Sequence, residues 1–493
     1  MDSEPPRSAP PSSFWSRSSK LLSLAAGLAS KELQGRVERA VSRGEEVAQQ
    51  LQRARVQIEQ ARDIAQSLGQ LKGAAMKAGQ LLSMELRDLL PPEASAILQT
   101  LQDSAPAVEW TEIRAILREE LGAEALAQLE IDEKPLASAS IGQVHRATWS
   151  RPGEEPLQIV LKVQFRGIAE TIDSDLLLLE RIARLFVAVQ FKQLDLSAVF
   201  AELRAVLVRE TDYRLEADSA ERYRVLAHRV PGLRVPEVHR ALSTARVLAL
   251  SFEPGLKLDA FLKAGPSAAA REKLGAQLLD LYFHEFFEWG LVQTDANFAN
   301  FLFRPGGHEG HAEGALVLLD FGATRDYDAA FRERYRALLI AAFRGDFSAT
   351  LSHAQDLGLI DHREGPESQQ NLYDLLRGVL SVFGDAAQPV DFRDRKLVDA
   401  SGAALRRYYQ GLTRSAPPAQ LIFLHRKLGG VYALGKALGV RLDLRPFWQR
   451  LEGGAAAPPP THRVPAPAPP SAEEREGRVV GAADAAGLVA VAQ

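Results

Sequence analysis

The sequence predicts a two-lobed α+β fold, and three observations carry that expectation. Near the middle, apolar runs such as Ile159-Val160-Leu161-Lys162-Val163 read as strands. Two shorter runs, Phe301-Leu302-Phe303 and Leu316-Val317-Leu318-Leu319, flank a turn containing Gly and His and read as a hairpin. Before and after these strands, long stretches rich in Ala, Leu, Arg and Glu read as helices, with no repeat of solenoid period. With 493 residues, 46% of them hydrophobic and 25% charged, the chain can bury one large bilobal core or two to three domains.

Taken in order, residues 1–31 form a Pro/Ser-rich flexible N-terminus. Within it, Phe14 to Leu28 mixes aromatics, leucines and cations in a pattern suited to an interfacial helix. Residues 32–125 read as a helical extension interrupted near Gly69 and Gly73. A strand-rich lobe follows over 126–253, with a helical insertion at about 166–209, and Phe252-Glu253-Pro254-Gly255 reads as its hinge. Residues 254–450 are mainly helical apart from the hairpin, and 451–493 form an Ala/Pro-rich tail expected to be disordered.

The chemistry concentrates in that second lobe. Asp295, in Gln293-Thr294-Asp295-Ala296-Asn297-Phe298-Ala299-Asn300, is followed five residues on by Asn300 and twenty residues after that by Asp320-Phe321-Gly322. In protein kinases a catalytic-loop Asp, an Asn five positions later and an Asp-Phe-Gly supply the base and two metal ligands at these intervals. Asp-Phe-Gly by itself is weak, because any strand-to-turn junction can end that way. It gains force from its register with Asp295, Asn300 and Lys162.

Upstream, Ala137-Ser138-Ala139-Ser140-Ile141-Gly142-Gln143-Val144 has the register of the kinase phosphate loop, with Ala in place of the first two Gly. Two alanines should stiffen such a loop and alter how it covers a triphosphate. Lys162, eighteen residues past Val144, interrupts a strand that is otherwise apolar. Alone it could be an edge-strand lysine reaching for water; a buried ammonium instead wants a partner, and Glu216 on the helical stretch Glu210 to Leu226 is the candidate.

These residues resemble the UbiB/AarF family of atypical kinase-like proteins. Lys77-Ala78-Gly79-Gln80 fits that family's K-x-G-Q motif, residues 137–145 its alanine-rich nucleotide loop, Glu210-Thr211-Asp212 its E-x-D motif, and Gln293-Thr294-Asp295 a variant of its catalytic loop. The likeness runs from about residue 70 to 440, and Ala296 departs from it by standing where the family usually has Pro. The resemblance implies a bilobal protein-kinase-like fold with an N-terminal helical extension carrying the K-x-G-Q motif. It implies ATP or ADP with Mg²⁺ as cofactors. Asn300 and Asp320 would hold the metal and Asp295 would be catalytic. Ala137, Ser138, Ala139, Ser140, Gly142, Val144, Lys162, Glu216 and Glu253 would bind nucleotide, with Lys77, Gln80, Glu210 and Asp212 beside them.

The implied activity is an ATPase or phosphotransferase in isoprenoid quinone biosynthesis or membrane lipid homeostasis. The alternatives are a pseudokinase-like scaffold for lipid handling and a small-molecule kinase. Transfer to proteins is not expected, since after Gly322 the chain passes through Ala323 to Tyr327 into a helical stretch, with no long activation segment and no Ala-Pro-Glu. Thr294 also replaces the Arg through which many kinases sense loop phosphate.

Composition narrows the partners. A net charge of −4 argues against nucleic acid. Zero cysteines exclude disulfides and thiolate metal sites. No apolar run reaches the eighteen or so residues of a spanning helix, and the early acidic residues of the N-terminus do not suit a signal or transit peptide. The expected location is cytoplasmic, peripheral on the cytoplasmic membrane face. Expected partners are a nucleotide, an anionic membrane surface and a lipid or quinone precursor, with a homodimer allowed. His145, His308 and His311 are expected to be structural or exposed rather than metal ligands.

Overall fold

The structure is a computed structural model that describes residues 108–453, except 139–140, 188–195, 229, 296, 305–313 and 413–418. The expectations for Lys77, Gln80, Ala139, Ser140, His308, His311, the 14–28 segment and the tail beyond 453 lie outside the described residues.

The first lobe is built on an antiparallel sheet. Its strands are β1 (Leu129–Ile131), β2 (Ala137–Ser138), β3 (Gly142–Trp149), β4 (Leu157–Gln164) and β6 (Val247–Ser251). Their order is β1-β3-β4-β6, with β2 also pairing β3. On β4, Ile159, Leu161 and Val163 are fully buried, the period of two expected of a strand with one face on a core. Helix α1 (Trp110–Ala127) contacts β1 and β4, and its Ile113, Ile116 and Leu117, spaced for one helical face, are fully buried. These residues, assigned to the extension by sequence up to 125, thus pack on the first-lobe sheet.

The predicted insertion is two helices, α2 (Ile168–Val187) and α3 (Leu196–Glu210), followed by α4 (Tyr213–Ala227). The stretch expected to run unbroken from Glu210 to Leu226 is interrupted at Thr211-Asp212. Asp212 is extended and its carboxylate accepts from the Arg214 amide at 3.0 Å, so a short acidic side chain at this point starts a new helix instead of continuing the old one.

The second lobe carries β5 (Leu233–Arg234), α5 (Leu258–Lys263), α6 (Ala268–Phe283), β7 (Leu291–Gln293), β8 (Phe301–Arg304), β9 (Ala315–Leu318) and β10 (Thr324–Asp326). Helices α7 (Ala329–Arg344), α8 (Phe347–Asp356) and α9 (Pro366–Leu380) come next. Strand β11 (Val390–Asp391), α10 (Arg395–Gly411), α11 (Ala419–Leu438), β12 (Arg441–Leu442) and α12 (Arg445–Glu452) complete it. The hairpin foreseen from the two apolar runs is β8–β9, registered Phe301↔Leu318 to Arg304↔Ala315. Strand β10 pairs antiparallel with β7, Thr324 opposite Gln293. These two ladders bring the Asp295 loop and the Asp320 turn to the same place from opposite sides. The hinge joins the lobes through paired backbone bonds between Leu256 and Phe303, at 2.8 and 2.9 Å.

Between α6 and β7 the chain widens into one π-helical stretch, His284–Trp289, and ends on Gly290 at φ +68°. A Cβ at Gly290 would lie 2.6 Å from the Tyr327 carbonyl, so both the left-handed backbone and the space require glycine. Within the stretch, His284 bonds the Glu288 carboxylate at 2.6 Å and lies 3.3 Å from Asp280. Burial alone would lower the His284 pKa, but those two carboxylates outweigh it and hold the ring up to about 9. A pKa raised on folding stabilises fully below the unfolded value near 6.5 and is lost as pH climbs through 9. The stability gap between wild type and His284→Gln should therefore shrink from pH 6 toward pH 9.5 in urea titrations; a gap independent of pH would show that the imidazolium contributes nothing.

Candidate active site

Lys162 sits in the middle of β4, opposite Val144 on one side and Leu248 on the other. Its ammonium is 2.8 and 2.9 Å from the two Glu216 oxygens and 3.2 Å from an Asp320 oxygen. The Tyr213 ring lies beneath it, 5.0 Å to the centroid. Burial by itself would depress the Lys162 pKa; Asp320 and Glu216 overturn that and lift it well above the ordinary lysine value. Burial pushes the Glu216 carboxyl up to about 7, against the pull of the ammonium. The lysine partner foreseen from the strand pattern is thus Glu216, and Asp320 joins it from the second lobe.

Asn300, at the end of a short 3₁₀ turn, donates its amide to both the Asp295 backbone oxygen and one Asp295 carboxylate oxygen, each at 3.0 Å. With its nitrogen so used, the amide oxygen is the atom left for a cation. Asp320 accepts the Gly322 amide at 3.0 Å on one oxygen and faces Lys162 with the other. Phe321 is buried and tilts against Tyr223, 5.0 Å between centroids, which fixes the turn that aims Asp320. Among the described residues no group of three or more His, Cys, Asp or Glu forms a ready-made metal cage. One carboxylate and one carboxamide nonetheless suit Mg²⁺, which takes few protein ligands and completes its shell with phosphate and water.

The other expected residues are placed as follows. Glu210 is buried where α3 ends, and its side chain lies close to Gly322, so it faces the Asp-Phe-Gly turn. Asp212 caps α4. Ala137 and Ser138 form β2, opposite Val144 and Gln143. A Cβ on Gly142 would come within 2.5 Å of the Val163 carbonyl and 3.0 Å of the Tyr213 hydroxyl, so this glycine is required by close strand packing. Glu253 turns its carboxylate to Arg304 at 2.7 Å, tying the hinge to the hairpin. His145 is buried, its Nδ1 2.8 Å from the Asp132 carbonyl, a structural role as expected.

Sequence reading missed the brace behind the catalytic loop. Lys427 on α11 is fully buried, 3.0 Å from one Glu285 oxygen and 3.1 Å from the other. It also donates at 3.3 Å to the Gln293 side chain, whose amide in turn donates to the Asp295 backbone oxygen at 2.7 Å. Glu285 further accepts from the Tyr223 hydroxyl and, at 3.1 Å, from the backbone N–H of Gln293. Next to it, Arg426 donates to the Thr294 carbonyl at 3.0 Å and lies 4.0 Å from the Asp295 carboxylate. The only local signal was a Lys inside an apolar helix more than a hundred residues away, which pairs with nothing until the chain folds. Burial pushes the Glu285 carboxyl up, opposed by Lys427. Lys427→Met should destabilise the protein by about 3–5 kcal/mol, because it strands a buried carboxylate, and Glu285→Gln added to it should recover part of that loss. Urea midpoints decide the matter: a single variant within about 1 kcal/mol of wild type would remove the pair from the account.

With this geometry in place, known proteins offer a comparison. Residues 100–354, just over half of the chain, match the ABC1 atypical kinase-like domain. The rat protein "Atypical kinase COQ8B, mitochondrial" is 31% identical over 402 residues, 78% of this chain and 70% of that protein. "Atypical kinase COQ8, mitochondrial" of Schizosaccharomyces pombe is 31% identical over 383 residues, 77% of this chain and 60% of that protein. Among solved structures, that of Rv3197 with erythromycin from Mycobacterium tuberculosis superposes with a TM-score of 0.54 at 25% identity, covering 83% of this chain and 98% of its own. The two lobes, with a lysine of one drawn to the Asp-Phe-Gly of the other, are kinase-like in fold, and the chain belongs to the ABC1 family of atypical kinase-like proteins, the UbiB/AarF group that its motifs resemble.

Proposed function

We propose that this protein binds Mg-ATP or Mg-ADP between its lobes and uses it as an ATPase or phosphotransferase supporting isoprenoid quinone biosynthesis or membrane lipid homeostasis. The observation that carries the reading is the Lys162 ammonium shared by Glu216 and Asp320, with Asn300 tied to Asp295 beside them. The names of the COQ8 relatives support the kinase half of the proposal. Among the described residues no helix is long and apolar enough to cross a membrane, so a lipid or quinone precursor would be met at a surface.

Each residue has a role in this reading. A bound Mg²⁺ supplies neutralisation of phosphate charge. Asn300 and Asp320 would hold it, one through a carboxamide oxygen and the other through a carboxylate. Two of the three Lys162 donors stay on Glu216; the one now on Asp320 is free to exchange to a phosphate oxygen. Asp295, held by Asn300 at 3.0 Å, orients the attacking hydroxyl or water and takes its proton. The passage from Gly322 through β10 into α7 at Ala329 leaves little chain on which to dock a peptide, which favours water or a small molecule as acceptor.

Asp320→Asn should lose the thermal stabilisation given by Mg-ATP, since an amide cannot supply the charge a hard cation needs. Asp295→Asn should keep that stabilisation and lose about a hundredfold or more in phosphate release, measured with and without anionic liposomes. Unchanged stabilisation in Asp320→Asn would sink the site assignment. Wild-type binding without turnover would move the reading to a nucleotide-stabilised scaffold.

A further inference from the structure

Beside the Asp-Phe-Gly turn lies a cavity of about 370 Å³, within the size range of small-molecule sites. Its walls are α3, through Ala205, Val206 and Arg209, and the segment from Gly322 to β10 and Tyr327, together with Thr294 and Gln420. Lys162, Asn300 and Asp320 do not line it, so it is separate from the nucleotide site.

Two polar groups in this wall lack an answer. Thr324 is 1% exposed and its hydroxyl has no hydrogen-bond partner among the described residues. Arg209 makes no ion pair with any described residue, and its buried Nε has no acceptor. A buried donor left unmade costs about 1–3 kcal/mol. An oxyanion is the kind of group that answers a guanidinium and a hydroxyl together.

Charge points the same way. Arg209 and Arg325 line the cavity, the Arg325 guanidinium lying over the Phe423 ring at 3.7 Å. The acidic lining residue Asp326 is already paired with Arg222 from α4. Ala205, Val206 and Ala323 add apolar surface, beside the polar Thr294, Tyr327 and Gln420. We infer that this cavity binds a small amphipathic organic anion, its carboxylate-type head on Arg209 and Thr324 and its apolar body along Ala205 and Val206.

Position gives the site a consequence for the reaction. Thr294 and Gly322 touch the cavity, and each is a near chain neighbour of a site aspartate, Asp295 or Asp320. The Thr294 amide is hydrogen-bonded to the Ala323 carbonyl at 3.1 Å, so an occupant presses on the backbone that holds both carboxylates. Occupancy is therefore expected to change Mg-ATP affinity. That coupling rests on the nucleotide reading above; binding of the anion does not.

The test uses the full chain with octanoate, octanol and inorganic phosphate as probes, followed by calorimetry and ligand-observed NMR. Octanoate should bind wild type saturably and more tightly than octanol or phosphate. Arg209→Gln should weaken octanoate about tenfold or more, the size of a charged hydrogen bond, while leaving octanol unchanged. Thr324→Val should weaken octanoate less and hold or raise the melting temperature, because it deletes a buried unpaired hydroxyl. Arg222→Gln, outside the cavity, should also weaken octanoate by exposing it to the Asp326 charge. Absence of saturable octanoate binding, equal affinity in folded Arg209→Gln and wild type, or phosphate binding as tightly as octanoate would overturn the proposal. If octanoate binds as described but Mg-ATP does not bind at all, the cavity stands and the nucleotide reading fails.

Discussion

One ammonium group organises this molecule. Lys162 belongs to β4, Glu216 to α4 and Asp320 to the turn after the β8–β9 hairpin, and three oxygens from the two carboxylates meet the lysine within 3.2 Å. A lysine in the middle of a buried sheet would be intolerable alone, since the cost of desolvating a charge is recovered only by close opposite charge. Glu210, buried near Gly322, is a further acidic side chain in the same region.

The catalytic loop depends on a second buried charge pair behind it. Lys427 and Glu285 lie in parts of the chain that sequence alone gives no reason to connect, and between them they fix Gln293, whose amide holds the Asp295 backbone. The widened helical stretch before β7 is what turns Glu285 inward, and Gly290 is what lets the chain reverse after it. The position of Asp295 is therefore set by packing in the helical lobe. Arg426 from the same helix donates to the Thr294 carbonyl and sits near the Asp295 carboxylate, so α11 also helps to align the aspartate.

The Asp-Phe-Gly turn is the meeting point of these two supports. Its aspartate faces the lysine, its phenylalanine packs on Tyr223, and Tyr223 bonds Glu285. A disturbance at the turn is thus felt at both Lys162 and the Asp295 loop. That connection is what would give an occupant of the neighbouring cavity influence over the nucleotide site without contact to it.

Much of this was legible in the amino-acid order. Asp295, Asn300 and Asp-Phe-Gly announced themselves by spacing, the β8–β9 hairpin by its apolar runs, and Lys162 by interrupting a strand, because strand period and loop length are local properties of a chain. Other residues were assigned a place by motif and given their use only by contact. Asp212 caps a helix, Gly142 makes room for the Val163 carbonyl, and Glu253 locks the hinge through Arg304. The break at Thr211-Asp212 was hidden because helix propensity around it is high on both sides, and one capping carboxylate decided it. The cavity beside α3 left no signal in the sequence, and the Lys427–Glu285 pair left only a lysine inside an apolar helix, with nothing local to say which residue it meets. Local order determined which groups could do chemistry; only the tertiary structure decided which charges share a dry interior, because the energy of a buried ion pair depends on distance in space and not on distance along the chain.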